Sequence, residues 1–265
     1  MAKAKSSTSR TSQRAGQAAS SRTDAIRIVP MHTAHAAAAA ATPRLTYRNG
    51  PLISAVDVFT IFWGPKWKAA PQSAMVGEIN QFFDFVLTSA LLDELAEYSV
   101  AKYPIKHGKR SGTTTITAPT LGTSVTDSAI QKMLQQQIST SKAFPKPTAN
   151  RLYFIYVQPG VRVVMGGSSS CQAFCGYHNS IGSNIFYAVM PFPGCDGCTG
   201  GIVAFDALTS TSSHELCEAI TDPIPGEGWY DDANGEVGDI CAWQTKSLGK
   251  YKVQLEWSNK ANRCI

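Results

Sequence analysis

Apolar and polar positions follow a regular pattern only from about Pro51 onward. LISAVDVFTIFWG, residues 52–64, alternates at its start, is rich in β-branched and aromatic side chains, and stops at Gly64 and Pro65, which predicts a buried strand. After Pro71, Val76, Ile79, Phe82, Phe83 and Val86 recur at steps of three and four, the spacing of one helix face, and a second short helix follows over 91–98. GTTTITAP, residues 112–119, reads as a strand, and TDSAIQKMLQQQIS, residues 126–139, opens on a Thr-Asp cap and continues as a helix. RLYFIYVQPGVRVVM (151–165) and NIFYAVMPF (184–192) are further strands, the first interrupted at Pro159 and Gly160, and HELCE (214–218) falls on a later helix. Strand, helices, strand, helix, strands and helix in that order predict one layered α/β or α+β domain.

Residues 1–43 show no such pattern. They are rich in Ala, Ser, Thr, Arg and Lys, have few large apolar groups to offset the entropy of ordering, and are expected to be a disordered basic tail ahead of a domain over 44–265. The HAAAAAA run at 35–41 is short and weakly apolar for a secretory core, leaving a weak leader, a processed segment or a plain linker open. No run approaches 18 apolar residues, so no membrane span is expected.

Charge separates the two parts. The 265 residues carry a formal +5, but residues 1–50 alone carry +7 and the remainder −2. Basic residues confined to a tail do not make the folded basic face that nucleic acid requires, and nucleic-acid binding is set aside. Between Arg162 and Lys246 there is no Lys or Arg, yet Asp196, Asp206, Glu215, Glu218, Asp222, Glu227, Asp231, Asp232, Glu236 and Asp239 all lie there. Either a cation sits among several of them or they form a solvated acidic surface.

The seven cysteines, at 171, 175, 195, 198, 217, 241 and 264, all fall in the last part of the chain. One CxxC with no second pair does not fit a four-cysteine zinc module, so three disulfides and one free thiol are expected. Cys241 with Cys264 would pin the C-terminus, and Cys195 with Cys198 would close a small loop, although spacing leaves the connectivity open.

HELCE carries the candidate chemistry. Positions i and i+4 share one helix face, so His214 and Glu218 can address one ion while Glu215, one residue on, reaches a water beside it. This is the mechanics of the HExxH metallopeptidase helix with Glu in place of the second His. A His with two carboxylates still suits zinc, and being harder and more anionic it leaves manganese or calcium as alternatives. The third ligand is expected from GWYDDANGEVGDIC, as Glu236 or Asp239, the other orienting His214. His178, in FCGYHNS, reads as lying in a Gly-containing loop and is a candidate ligand or oxyanion stabiliser. The spacing around Gly235 excludes an EF-hand. No GxSxG motif and no thiol dyad signature is present.

FCGYHNS, SHELCEAITDP, GWYDDANGEVGDIC and VQLEWSNKANRC together resemble the phosphate-induced, EXORDIUM-like family and its bacterial relatives over about residues 50–265, most clearly after Cys171. In the bacterial branch the SHELxEAxTDP and GxIGDxC-like motifs are similar to what stands here at His214, Glu215, Glu218, Asp222, Glu236 and Asp239. The plant branch, with cell-wall and growth-signalling roles, keeps a similar Gly-x-His segment and lacks the His-Glu pair. The resemblance thus implies a fold that persists without the metal. Together these readings predict a zincin-like domain in an extracellular or cell-envelope setting. Its expected function is metal-dependent hydrolysis, of a metallopeptidase kind, of a peptide or cell-wall substrate, with Glu215 as base. The alternative is a non-catalytic extracellular binding or signalling protein whose acidic cluster holds a structural, calcium-like cation. Oligomeric state is not legible.

Overall fold

Seven consecutive residues from Arg151 to Val157 are all buried, which only a strand covered on both faces allows. In this computed structural model, which describes residues 28–32 and 42–265, that strand is central. The elements are β1 (Ile28–Pro30), β2 (Thr46–Tyr47), β3 (Ala55–Trp63), α1 (Gln72–Val86), α2 (Ala90–Leu95), β4 (Lys106–Ile116), β5 (Ser124–Thr126), α3 (Asp127–Thr140), β6 (Arg151–Val157), β7 (Arg162–Met165) and β8 (Ser168–Ser169). They continue with β9 (Phe174–Ile181), β10 (Ile185–Pro191), α4 (Asp196–Thr199), α5 (Ala204–Thr221), β11 (Trp229–Tyr230), β12 (Thr245–Leu248), β13 (Tyr251–Gln254), β14 (Trp257–Ser258) and β15 (Arg263–Cys264).

The main sheet is mixed, in the order β1-β9-β10-β6-β3-β4. β4, β3, β6 and β10 run parallel, while β9 is antiparallel to β10 and β1 antiparallel to β9. Alternation along β6 divides the core. Leu152, Phe154 and Tyr156 face a layer built from α1, α2, α5 and β13; Tyr153, Ile155 and Val157 face α3 and the small sheet of β5, β7 and β8. The Thr126 hydroxyl accepts from Ala129 N at 3.2 Å, the cap expected for α3. Asp127, the first residue of α3, accepts from the hydroxyls of Tyr177 and Tyr187 at 2.7 and 2.8 Å, tying that helix to the sheet.

Two expectations are revised. FCGYHNS is strand β9, not a loop, because Cys175, Gly176, Tyr177 and His178 are buried and paired between neighbours. Most of the expected tail lies outside the described residues, but Ile28–Pro30 belongs to the sheet, with Val29 only 2% exposed. No helix among the described residues is long and apolar enough to cross a membrane.

Three disulfides form, Cys171–Cys195, Cys175–Cys198 and Cys241–Cys264, and Cys217 is a buried free thiol. The last pair is as expected. The Cys195–Cys198 loop is not: Cys195 precedes the single turn of α4 and Cys198 lies within it, and they pair instead with Cys171, just before β9, and Cys175, within it, stapling α4 to that strand. Loops of this length are stabilised by about 3 kcal/mol each in the chain-entropy account, and bonds of this kind belong to an oxidising compartment. Non-reducing peptide mapping should return these three pairings, and Cys217 should react with thiol reagents only after denaturation. A Cys195–Cys198 peptide would contradict the staple.

Candidate metal centre

Helix α5 is buried along almost its whole length, from Ala207 to Thr221, which explains its unusual TSTSS run. Small hydroxyl residues let neighbouring chains approach closely and satisfy themselves locally. Ser213 donates to Ser210 O at 2.8 Å and Thr221 to Cys217 O at 2.9 Å, while Ser212 shares a 2.7 Å hydrogen bond with the Tyr156 hydroxyl. The helix stops at Asp222, before Pro223. The Asp222 carboxylate accepts from the backbone N–H groups of Gly226, Glu227 and Gly228 at 2.6, 3.0 and 2.6 Å. It thereby clamps the PIPGEG turn and aims the chain back along the helix.

The returning chain pairs Trp229 and Tyr230 with β2, turns at Asp231, and passes through Gly235 at φ +91°. A Cβ at Gly235 would overlap the Asp239 carboxylate. Glu236 N then donates to Asp239 Oδ2 at 3.1 Å and Asp239 N to Glu218 Oε1 at 3.1 Å, docking this loop on α5. Two glycines allow the close approach. A Cβ on Gly238 would stand 2.8 Å from His214 Nδ1, and one on Gly176 of β9 would stand 2.7 Å from Thr211 Cγ2 and 3.3 Å from Glu215 Oε1.

His178, His214, Glu215, Glu218, Asp222 and Glu236 are all at zero exposure. Ligand atoms of His214, Glu218 and Asp239 lie within 4.8 Å of one another, as do those of His178, Glu215 and Glu218, so each trio has the spread to hold an ion. His214 is the most telling. Its Nε2 is 2.9 Å from Glu218 Oε1 but lacks hydrogen-bond geometry, and its Nδ1 has no partner. Buried imidazoles are normally hydrogen-bonded, and a nitrogen and an oxygen side by side without donor-acceptor alignment are arranged as two ligands of a third atom are. Glu215 Oε1, Glu218 Oε2 and both oxygens of Glu236 are likewise buried without a hydrogen bond.

His178 differs. Its Nε2 is 3.1 Å from the Asp222 carbonyl, an acceptor only, so that nitrogen carries a proton. Its Nδ1 is 3.1 Å from Glu215 Oε2 and 3.5 Å from Glu218 Oε2, and Glu236 Oε1 lies 3.5 Å from Nε2. Burial opposes its charge, but Glu236, Glu215 and Glu218 outweigh that and hold the ring well above the usual histidine range. An imidazolium there donates on both sides. His214 is raised in the same sense, burial being outweighed by Glu218 first. Burial pushes Glu236 well up, with Glu218 adding to it, and raises Glu215 despite the hydrogen bond to His178. Glu218 goes the other way: burial is overcome by His214 and His178.

The structure therefore brings together the candidate site residues His178, His214, Glu215, Glu218, Glu236 and Asp239, and it places the two candidates for the third position differently. Asp239 joins His214 and Glu218, whereas Glu236 faces His178 and Asp222. Glu256 was missed. It is 1% exposed, both its oxygens lack hydrogen-bond partners, and it sits beside His214 and Cys217, with burial raising its carboxyl well above the usual range. It follows β13 in VQLEWSNKANRC, a stretch that entered the resemblance without any site role, and only its return to α5 gives it meaning.

Adding a methyl group at Gly238 should crowd His214 directly. Gly238→Ala is expected to lower unfolding stability by about 1–3 kcal/mol, the range for overpacking a filled core, measured by urea denaturation. An unchanged midpoint would show that the loop does not press on His214.

No family model, curated protein or solved structure matches this chain, so its chemistry is read from its own residues.

Proposed function

We propose that this protein is a metal-dependent hydrolase of metallopeptidase type, working outside the cell or in the cell envelope on a peptide or cell-wall substrate. In this reading His214, Glu218 and Asp239 hold the ion and Glu215 is the general base. The observation that carries it is the His214 ring, fully buried with neither nitrogen in a hydrogen bond, beside the Glu218 oxygen and with an Asp239 oxygen within 4.8 Å. One imidazole with two carboxylates suits zinc, with manganese or calcium as alternatives. Such a cation, when bound, supplies Lewis acidity and makes a coordinated water more acidic.

The protein side of the chemistry follows from α5. Glu215 neighbours the ligand His214 in sequence but is turned toward β9, where His178 holds its Oε2 and leaves Oε1 without a partner. A carboxylate fixed by one oxygen and free at the other can take a proton from water and return it to a leaving group. His178 is then a positioning residue: its two nitrogens already face Glu215 and the Asp222 carbonyl, which does not favour the ligand or oxyanion role. Asp222 acts through the turn that it clamps. A mixed sheet with the HELCE helix packed against its antiparallel strand β9 supports the zincin-like reading of the fold, and three disulfides support the setting outside the cytoplasm.

One observation favours the second reading, a binding or signalling protein with a structural cation. A substrate must reach the base, and Glu215 and its neighbours have no exposure. Three substitutions separate the readings. His214→Ala and Glu218→Ala should abolish stoichiometric metal by elemental analysis, while Glu215→Gln keeps it. In a hydrolase Glu215→Gln should also reduce peptide hydrolysis by roughly 10²- to 10⁴-fold. In a structural site it is silent, and ligand removal acts through melting temperature alone. Metal content equal to the parent's in all three variants would refute both.

A further inference from the structure

The sheet edge nearest Glu215 is covered by residues that arrive from far away in the chain. β1 lies antiparallel on β9, with Ile28 opposite Tyr177, Val29 opposite Gly176 and Pro30 opposite Phe174, and the ladder is irregular between Val29 and Pro30. Gly176 is where β9 comes against Glu215, whose Oε1 is buried and unpartnered. β1 also packs on α5. Val29 fills a small apolar site with Cys175 and Cys198, and Met31 sits on Gly197, where a Cβ would overlap its terminal methyl. His32 N donates to Gly197 O at 2.7 Å, Trp243 Nε1 donates to Pro30 O at 3.0 Å, and the His32 and Trp243 rings meet edge to face at 5.2 Å.

We propose that residues 28–32 are a removable strap that occupies, in cis, the place of an extended peptide along β9, and that their departure opens the route to Glu215. The edge amides and carbonyls of β9 form a ready template for an added strand. Recognition there is by main-chain hydrogen bonds and one side-chain pocket. The pocket that holds Val29 is walled by the Cys175–Cys198 disulfide and selects a compact apolar side chain at that position. Anchoring is slight for a sheet strand: three residues, an irregular ladder, and a proline that has no N–H to give. The chain itself keeps the strap in place. The strap is covalently continuous with the domain, and such a tether raises its local concentration far above that of a free competitor. Cutting the tether would turn a bound strap into a dissociable product, as removal of a pro-segment does. The catalytic consequence rests on the hydrolase reading, whereas occupation of the edge does not.

The full-length chain carrying Val29→Asp tests this. A labelled peptide of sequence IRIVPMH, residues 26–32, should bind the variant about 10²-fold more tightly than the parent, by fluorescence anisotropy. Metal content should be unchanged, because Val29 packs with Cys175 and Cys198 at the other end of the site's strand. Binding should persist when Glu215→Gln is added, so failure of the hydrolase reading leaves this result standing. If Glu215 is the base, Val29→Asp raises peptide hydrolysis and the double variant loses the gain. Equal peptide binding by parent and a folded Val29→Asp would overturn the proposal. Should that variant not fold, hydrogen exchange of the parent decides: amides at 174–177 should exchange through local opening, well ahead of those in β6 and β10. Exchange there only at the global unfolding rate would overturn it equally.

Discussion

Burying Glu215, Glu218, Asp222, Glu236 and Glu256 with two imidazoles and no Lys or Arg within the chain from 163 to 245 concentrates negative charge in one buried volume. Each such ion costs several kcal/mol to desolvate unless something in the protein replaces its hydration. Three partial remedies are visible. Asp222 takes three backbone N–H groups, Glu218 sits between His214 and His178, and Glu236 and Glu256 are pushed toward their protonated forms. After these, both ring nitrogens of His214 and one oxygen each of Glu215 and Glu218 are still without hydrogen bonds. In the proposed reading, a divalent cation at His214, Glu218 and Asp239 would meet part of that demand with ordinary ligand chemistry.

The scaffold is organised to hold this cluster at close quarters. Helix α5 is a core element, not a surface one, pressed between the sheet and the β12–β13 hairpin, and the glycines at 176 and 238 let strand and loop come within contact of its functional face. The Cys241–Cys264 bond fixes the far end of the loop that delivers Asp239, and Gln254 holds the Gly238 carbonyl at 2.9 Å. The other two disulfides tie α4 to the start of β9, the strand that carries His178. A site in which every wall is anchored separately tolerates repulsion that a looser one would relieve by opening.

The same closure sets the question of access. A closed cage of carboxylates describes a structural cation, and an enzyme needs a way in. The sheet ends, on the side of the cluster, at a strand of three residues supplied by the N-terminal segment, so the boundary between the two readings runs through a contact of low intrinsic strength. Function and regulation would thus depend on one edge, where backbone groups are paired within the chain or available to another.

Periodicity alone was enough for α1, α3, β3, β6 and β10, because their burial is one-sided or complete over lengths that leave a clear signature. Helical spacing was also enough to put His214 and Glu218 on one face with Glu215 beside them, since i and i+4 geometry is local. The chain order could not decide between Asp239 and Glu236, which differ by three residues and end on opposite sides of the cluster. Nor could it recognise Glu256, find the staple that replaces the Cys195–Cys198 loop, or see that Ile28–Pro30 leaves an otherwise polar segment to complete the sheet. FCGYHNS read as a loop because its glycine and polar residues carry no two-residue rhythm, yet Gly176 is there for the approach of Glu215, and His178 is polar because carboxylates face it. Those features are set by which surfaces meet across long separations, where charge, close packing and covalent pairing are satisfied between partners that the linear chain does not place side by side.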